Sequence, residues 1–209
     1  MNIVYMGSAK FGELSLRKLV SAGHVISCVV TQPDKKQNRG MHLETTPIKS
    51  AAIELGLKIY QPENINTPDS VNFLKTLNAD VFVVIAYGQK LSRNILAIPK
   101  IMPLNIHASL LPSYRGAAPV NWAVINGEQK TGISLMKMNH RMDAGPIIAL
   151  KERAILENDT AETLLESLSV DSGELLVTSL KSISSGNFTL SAQDETKVTL
   201  APKLSRTTG

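Results

Sequence analysis

The chain lacks most of the features that would tie it to a metal, a disulfide framework or a membrane. Cys28 is the only cysteine among 209 residues, so neither an internal disulfide nor a cysteine-based zinc site can form within it. No apolar run approaches the roughly 20 residues that a helix needs to cross a bilayer. The first residues also lack the basic segment and apolar stretch of a signal peptide. We therefore expect a cytoplasmic protein without membrane contact, and we interpret Cys28 as a buried core residue.

Aromatic residues are scarce, at 4% of the sequence, whereas hydrophobic residues make up 43% and charged residues 19%. The core must therefore be mainly aliphatic, in proportions that are ordinary for a globular domain. A length of 209 residues suits one large α/β domain, or a medium domain with a short appendage. The formal net charge of +4 permits an anionic partner without requiring one.

Short apolar strands alternate with amphipathic segments along the chain. A strand at 2–6, a helical stretch ending at Gly23 and a second strand at 25–31 are typical of parallel strands joined by a crossover helix. The most apolar strand, at 80–86, belongs in the centre of a parallel sheet that is covered on both faces. We therefore predict an α/β, Rossmann-like fold with a mostly parallel central sheet and helices on both faces.

Two glycines, Gly7 and Gly12, follow the first strand. Their spacing lacks the Lys-Ser/Thr of a P-loop and does not match G-x-G-x-x-G. A phosphate-binding turn stays open as an alternative, but we favour close packing of the strand against the following helix.

A long polar connection at 32–46 contains Lys35, Lys36 and Arg39. Connections of this length in compact domains are usually functional or disordered. One interpretation is a solvated loop. The other is a lid that touches an anionic substrate, with Gly40 as its hinge.

The strongest chemical signal is the pair Asn105 and His107, two residues apart at the end of a predicted strand at 101–106. Their side chains should point to the same side. An amide and an imidazole together can stabilise the oxyanion of a tetrahedral intermediate. Asp143 lies at a later break in the apolar pattern, and we expect it to meet His107 and relay a proton. Because no nucleophile elbow is present, direct transfer between two bound substrates is favoured.

Alternatives exist for these residues. A strand-end Asn-x-His pair is often structural, and the chain contains three competing histidines, His24, His42 and His140. No H-x-x-x-H or H-E-x-x-H spacing is present, so no metal is expected.

Four segments carry a more specific signal: 105–107, 109–112, 114–119 and 142–146. Together they closely resemble the folate-dependent formyltransferase family. Further segments resemble the branch of that family that modifies transfer RNA, namely 3–7, 11–12, 31–34, 39–40, 46–49 and 86–89. The resemblance covers essentially the whole chain and implies the formyltransferase variant of the Rossmann-like fold.

The resemblance implies that a formyl group passes from 10-formyltetrahydrofolate to the α-amino group of methionyl-initiator-tRNA through a tetrahedral intermediate. Asn105 and His107 would polarise the formyl carbonyl, and Asp143 would pair with His107 and assist proton removal from the amine. The folate donor would bind Ile85, Ala86, Tyr87, Gly88, Gln89, Leu91, Met138 and Asn139. The aminoacyl-tRNA would contact Lys35, Lys36, Arg39, Ser109, Leu110, Leu111, Pro112 and Arg115.

Family members of this kind usually continue into a small β-barrel domain. We therefore expect residues 1–186 to form the catalytic domain and 187–209 to be a linker toward a β-barrel domain that is absent here. We also expect a monomer. A formyltransferase acting on an amino-sugar nucleotide or a purine-pathway amine is an alternative, against which the basic 32–46 segment argues. A nucleotide- or RNA-binding module without catalysis is another, against which Asn105, His107 and Asp143 argue.

Overall fold

A computed structural model describes residues 1–37 and 42–205 of the chain. Within them the chain forms two compact units that divide after Leu104. The first contains β1 (Asn2–Gly7), α1 (Glu13–Ser21), β2 (Val25–Val30), β3 (Lys35–Gln37), β4 (His42–Glu44), α2 (Pro47–Glu54), β5 (Ile59–Tyr60), α3 (Pro68–Thr76), β6 (Val81–Ile85), α4 (Arg93–Leu96) and the start of β7 (Met102–His107). The second contains the end of β7, then β8 (Arg115–Gly116), α5 (Pro119–Ile125), β9 (Lys130–Lys137), β10 (Ile147–Ala154), α6 (Ala161–Ser184) and β11 (Leu200–Ala201).

The first unit is built on a parallel sheet with the strand order β6-β1-β2-β5. Helices α1, α2 and α3 lie in the connections between its strands, because parallel strands need a long crossover. Every residue of β6 is buried, as predicted for the most apolar strand. The predicted mostly parallel α/β sheet is confirmed.

In the turn after β1, Gly12 packs directly against the side chain of Tyr5. Tyr5 is fully buried, and its hydroxyl donates a 2.6 Å hydrogen bond to the Gly12 carbonyl. A Cβ atom on Gly12 would lie 2.4 Å from that hydroxyl oxygen. The contact supports the packing interpretation of this glycine.

The described residues of the polar segment 32–46 include regular secondary structure, which the sequence did not predict. It contains the antiparallel strands β3 and β4, whose ladder pairs backbone groups that a loop would leave to water. Thr31 and Thr46 join their hydroxyls at 2.7 Å, and Lys49 forms an ion pair with Asp34. Hydrogen bonding by Lys49 holds the pKa of Asp34 below its usual value.

The second unit pairs β9 and β10 as an antiparallel hairpin, against which α6 packs. Its core is aliphatic and includes Ile133, Leu135, Leu164, Leu168, Leu176 and Leu180. The short strands β8 and β11 pair in parallel. None of the helices in the described part of the chain is long and apolar enough to cross a membrane.

A buried carboxylate joins α6 to β10. The side chain of Asp171 is 4% exposed and contacts Lys151 at 2.7 Å and the Arg153 guanidinium. Burial alone would raise the pKa of Asp171, but hydrogen bonds from Arg153 and Lys151 outweigh it and hold the pKa below its usual value. The ionised carboxylate therefore stabilises the fold.

We predict that Asp171→Asn lowers the free energy of unfolding at pH 7 by roughly 3 kcal/mol, because two cations lose a buried partner. The folded-state pKa lies below that of the unfolded chain, so the stabilisation is complete above about pH 4 and is lost at lower pH. Urea unfolding of the wild type and Asp171→Asn at pH 7 and pH 3 measures the difference in their free energies of unfolding. A difference in stability that does not shrink on acidification would contradict this role.

Candidate active site

The imidazole of His107 lies at the end of β7 and is held from two sides. Asn105 and His107 are alternate residues of this strand, so their side chains leave it on the same side. The His107 Nε2 lies 2.8 Å from the Tyr114 carbonyl oxygen. Because a carbonyl only accepts, Nε2 carries the proton. The other nitrogen, Nδ1, faces the Asp143 carboxylate at 3.7 Å, so the expected proximity of the two residues is present.

The gap between His107 and Asp143 has chemical meaning. A separation of 3.7 Å is too long for a direct hydrogen bond. One water or one N–H group lying beside the line that joins the two atoms would be within hydrogen-bond reach of both. The His107 side chain is 8% exposed and that of Asp143 is 16% exposed, so the pair lies largely out of water. The arrangement can accept and pass on a proton from a group that lies against both side chains.

The loop that supplies the Tyr114 carbonyl is fastened to β9 through Ser134. The buried Ser134 hydroxyl donates to the Ser109 carbonyl at 2.6 Å and accepts from the Leu111 N–H at 2.9 Å. The Ser109 hydroxyl in turn donates to the Ser113 carbonyl at 2.6 Å. Ser109 and Leu111 are buried. These two predicted substrate contacts therefore shape the loop from within, while Leu110 and Pro112 are half-buried.

The N–H, the carbonyl and the phenol hydroxyl of Tyr114 each form a hydrogen bond. Its N–H donates to the Thr199 hydroxyl at 2.8 Å, and its own hydroxyl donates to Glu128. Burial, followed by the hydrogen bond to Glu128, raises the pKa of Tyr114. Its backbone has a φ of 60°, a left-handed conformation that costs a non-glycine residue roughly 1–3 kcal/mol. The surrounding contacts hold the carbonyl toward His107 despite this strain.

The loop that carries Asp143 also has a left-handed residue that is fixed by a hydrogen bond. Asp143 has a φ of 49°, and its Oδ2 accepts a 2.9 Å hydrogen bond from the Gly116 N–H. Two residues on, a Cβ atom at Gly145 would lie 1.8 Å from the Lys137 carbonyl oxygen. Only glycine lets this loop lie so close to the end of β9.

The side chain of Arg115 is bonded to two residues near the end of the described chain. The resemblance implied that it contacts the aminoacyl-tRNA. That contact stays a prediction; within the protein the guanidinium donates to Gln193 Oε1 at 2.7 and 3.0 Å and forms an ion pair with Glu195 at 3.1 Å. Its side chain is 7% exposed. Because the charge is buried and matched, Arg115 holds segments of the protein together.

The residues expected to bind the folate donor belong to both units. In the first, Ile85, Tyr87 and Leu91 are buried, whereas Ala86 and Gly88 are exposed. Both exposed residues have positive φ, of 47° and 90°. The Gln89 side chain is engaged with its own unit, since it accepts from the Ile65 N–H at 2.8 Å. Part of the loop's backbone is bonded within the same unit, since the Ala86 carbonyl accepts a 3.2 Å hydrogen bond from the Ser8 N–H.

In the second unit, Met138 and Asn139 are half-buried. Asn139 donates to the Ala144 carbonyl at 3.1 Å and accepts from the Arg141 N–H at 2.9 Å. It therefore shapes the Asp143 loop. Of the proposed basic contacts, Lys35 is exposed at the start of β3, Lys36 follows it in the strand, and Arg39 lies outside the described residues.

The fold and the site define the chain as an α/β protein with a largely buried acid–base pair at a strand end. Among the described residues, no group of three His, Cys, Asp or Glu side chains could hold a metal ion. The sequence model of the formyl transferase family matches residues 1–180. The chain therefore belongs to the formyl transferase family, and the expectation of a formyltransferase is confirmed.

One relative in sequence and two solved structures show what the chain is similar to within this family. Methionyl-tRNA formyltransferase of Caldanaerobacter subterraneus subsp. tengcongensis is 42% identical over 210 residues, which cover 100% of this chain and 68% of that protein. Glycinamide ribonucleotide transformylase 1 from Symbiobacterium toebii superposes with a TM-score of 0.76 at 17% identity, covering 93% and 94% of the two chains. An N-formyltransferase from Helicobacter canadensis, in complex with folinic acid and dTDP-3-aminofucose, superposes with a TM-score of 0.73 at 18% identity, covering 99% and 71%. The two structures confirm the Rossmann-like formyltransferase fold.

Several residues that build the site escaped the sequence analysis. Ser134, Thr199, Gln193 and Glu195 bind the loops around His107. Most of their contacts go to backbone atoms of residues distant in sequence, and such contacts leave no local pattern. Tyr114 was noticed only as part of the family motif, although its carbonyl is the partner of His107.

We predict that Ser134→Ala destabilises the protein by roughly 3 kcal/mol, because it removes two hydrogen bonds and leaves a buried N–H and a buried carbonyl unpaired. Ser109→Ala removes one bond, to the Ser113 carbonyl, and should cost about 1 kcal/mol. Chemical denaturation of both variants measures the difference. Equal losses would show that Ser134 does not fasten this loop.

Proposed function

We propose that the chain transfers a formyl group from 10-formyltetrahydrofolate to the α-amino group of methionyl-initiator-tRNA. Membership of the formyl transferase family and the 42% identical methionyl-tRNA formyltransferase support the reaction and the acceptor. The observation that carries the mechanism is the His107–Asp143 pair at 3.7 Å. Since charged initiator tRNA is a cytoplasmic molecule, the proposal also implies a cytoplasmic enzyme.

The proposed chemistry is direct attack. The amine nitrogen adds to the formyl carbon, the carbonyl oxygen becomes an oxyanion, and the bond from that carbon to N10 of the folate then breaks. The Asn105 amide would donate a hydrogen bond to the oxyanion, and a doubly protonated His107 ring would place positive charge beside it. Asp143 would accept the proton that the amine loses, directly or through one water, and would pass it to N10 of the folate as the bond from the formyl carbon to N10 breaks.

The first unit has groups that suit the folate donor. A pterin ring carries hydrogen-bond donors and acceptors along one edge. We infer that this edge of the pterin meets the loop at Ala86 and Gly88, which are exposed, while the flanking Ile85 and Tyr87 are buried. We propose that this loop binds the donor as a co-substrate.

The proposed function is tested by an assay of formyl transfer from 10-formyltetrahydrofolate to methionyl-tRNA, with an amino-sugar nucleotide as a competing acceptor. Formylation of the tRNA in the presence of the competitor supports the assignment. Transfer to the sugar alone would move the chain to the sugar-modifying members of the family. Folate binding without transfer to any amine would leave a binding protein.

We predict that Asp143→Asn lowers kcat by about 10³-fold, within the range for loss of a general base. The Asn side-chain oxygen can still accept from the Gly116 N–H, so the loop should keep its conformation. Single-turnover assays with saturating donor measure the loss, and thermal unfolding serves as the control. An unchanged kcat would remove Asp143 from the mechanism.

We also predict that replacing Lys35, Lys36 and Arg39 with Ala raises KM for methionyl-tRNA while leaving folate binding unchanged. Each lost phosphate contact should lower the salt dependence of tRNA affinity by a slope of about 1. The matched control replaces three exposed cations on helices, Lys75, Arg93 and Lys181. Equal weakening toward both substrates, or an equal effect in the control, would contradict a role in tRNA binding.

A further inference from the structure

The stretch 191–202, which we term the strap segment, is attached to the second unit at both ends. At its start, Ser191 and Ile147 exchange two backbone hydrogen bonds of 2.8 Å. At its end, β11 pairs with β8, and the Pro202 carbonyl accepts a 2.8 Å bond from the Trp122 indole. The strap segment therefore belongs to the folded unit.

The strap segment reaches both loops that hold His107. Thr199 binds the N–H of Tyr114, whose carbonyl faces the His107 Nε2. Gln193 binds the loop of Asp143, whose carboxylate faces the His107 Nδ1. The two partners of the imidazole come from different loops, and the same short segment contacts each of them.

The Gln193 amide uses all of its hydrogen-bonding capacity at this point. Its two N–H hydrogens go to the Asp143 carbonyl at 2.8 Å and the Gly145 carbonyl at 2.7 Å. Its oxygen accepts two bonds from the buried Arg115 guanidinium, at 2.7 and 3.0 Å. An amide has two donor hydrogens and two acceptor lone pairs. No other side chain of this length can donate twice on one side and accept twice on the other.

Asp143 needs such support because its backbone is strained. A φ of 49° in a non-glycine residue persists only where neighbouring contacts enforce it. The Gly116 N–H fixes the carboxylate, and Gln193 fixes the backbone carbonyls of 143 and 145. Arg115, in turn, precedes Gly116 in β8, so Gln193 links the donor of that carboxylate contact to the loop that carries the carboxylate.

We propose that Gln193 is a positioning residue for formyl transfer. It holds the Asp143 loop at the distance from His107 at which a proton can be exchanged through an entering group. The inference rests on the proposed function for its kinetic consequence. Its structural part, the position of the Asp143 carboxylate, is independent of any substrate.

The test variant is Gln193→Glu. The carboxylate has the same shape and still accepts from Arg115, but it cannot donate to the carbonyls of 143 and 145 and repels them. We expect kcat to fall about 100-fold, as for a displacement of about 1 Å of a reacting group, with KM for both substrates little changed. The matched control is Asp194→Asn, the reverse exchange on the neighbouring residue, which touches neither Arg115 nor the Asp143 loop among its described contacts.

A second readout needs no catalysis. The Gly116 N–H donates to the Asp143 Oδ2, so its hydrogen exchange, followed by NMR, reports whether the carboxylate stays in place. We expect exchange at Gly116 to accelerate about tenfold or more in Gln193→Glu and to be unchanged in Asp194→Asn, while exchange in α6 stays the same in all proteins.

Unchanged exchange at Gly116 in Gln193→Glu overturns the inference whether or not the wild type is active. So does a wild-type kcat in that variant, and so does an equal kcat loss in Asp194→Asn. A wild type that fails to formylate methionyl-tRNA refutes the proposed function instead, and the exchange measurement then decides the role of Gln193 alone.

Discussion

The second unit depends on holding one imidazole between two loops. His107 has a carbonyl oxygen on one nitrogen and a carboxylate near the other. The carbonyl fixes the tautomer, since it can only accept. The other nitrogen, Nδ1, faces Asp143. In the proposed mechanism, a proton that His107 gains or loses is therefore carried by Nδ1. The tautomer of His107 is therefore set by a backbone atom of Tyr114, a contact that does not depend on the identity of a side chain.

Such a site requires loops that do not drift, and the structure shows how two strained loops are held. Tyr114 and Asp143 both have left-handed backbones, each costing roughly 1–3 kcal/mol. Ser134 holds the first loop to β9 from inside the protein. Gln193 holds the second through the carbonyls of Asp143 and Gly145. The two strained residues are the ones whose atoms face His107. The cost in folding free energy therefore falls on the residues that fix the position of the imidazole.

The sequence predicts much of this and misses the rest for a physical reason. The apolar run of β6 identifies a buried strand, and the two-residue spacing of Asn105 and His107 places both on one side of β7. Those signals are local. By contrast, Gln193 lies 50 residues from Asp143, and its polar surroundings resemble a linker. The hairpin inside 32–46 was also missed, because strands of three residues are too short to show alternation.

Arg115 shows why a residue type alone does not assign a role. A guanidinium beside a family motif suggests an anion ligand, yet here it is buried against Gln193 and Glu195. Hydrogen bonding by Arg115 holds the pKa of Glu195 below its usual value. A cation so matched has little left to offer a phosphate, since its partners would have to be displaced first. Lys35, by contrast, is exposed, and an exposed cation can pair with a phosphate without breaking an ion pair of the protein first.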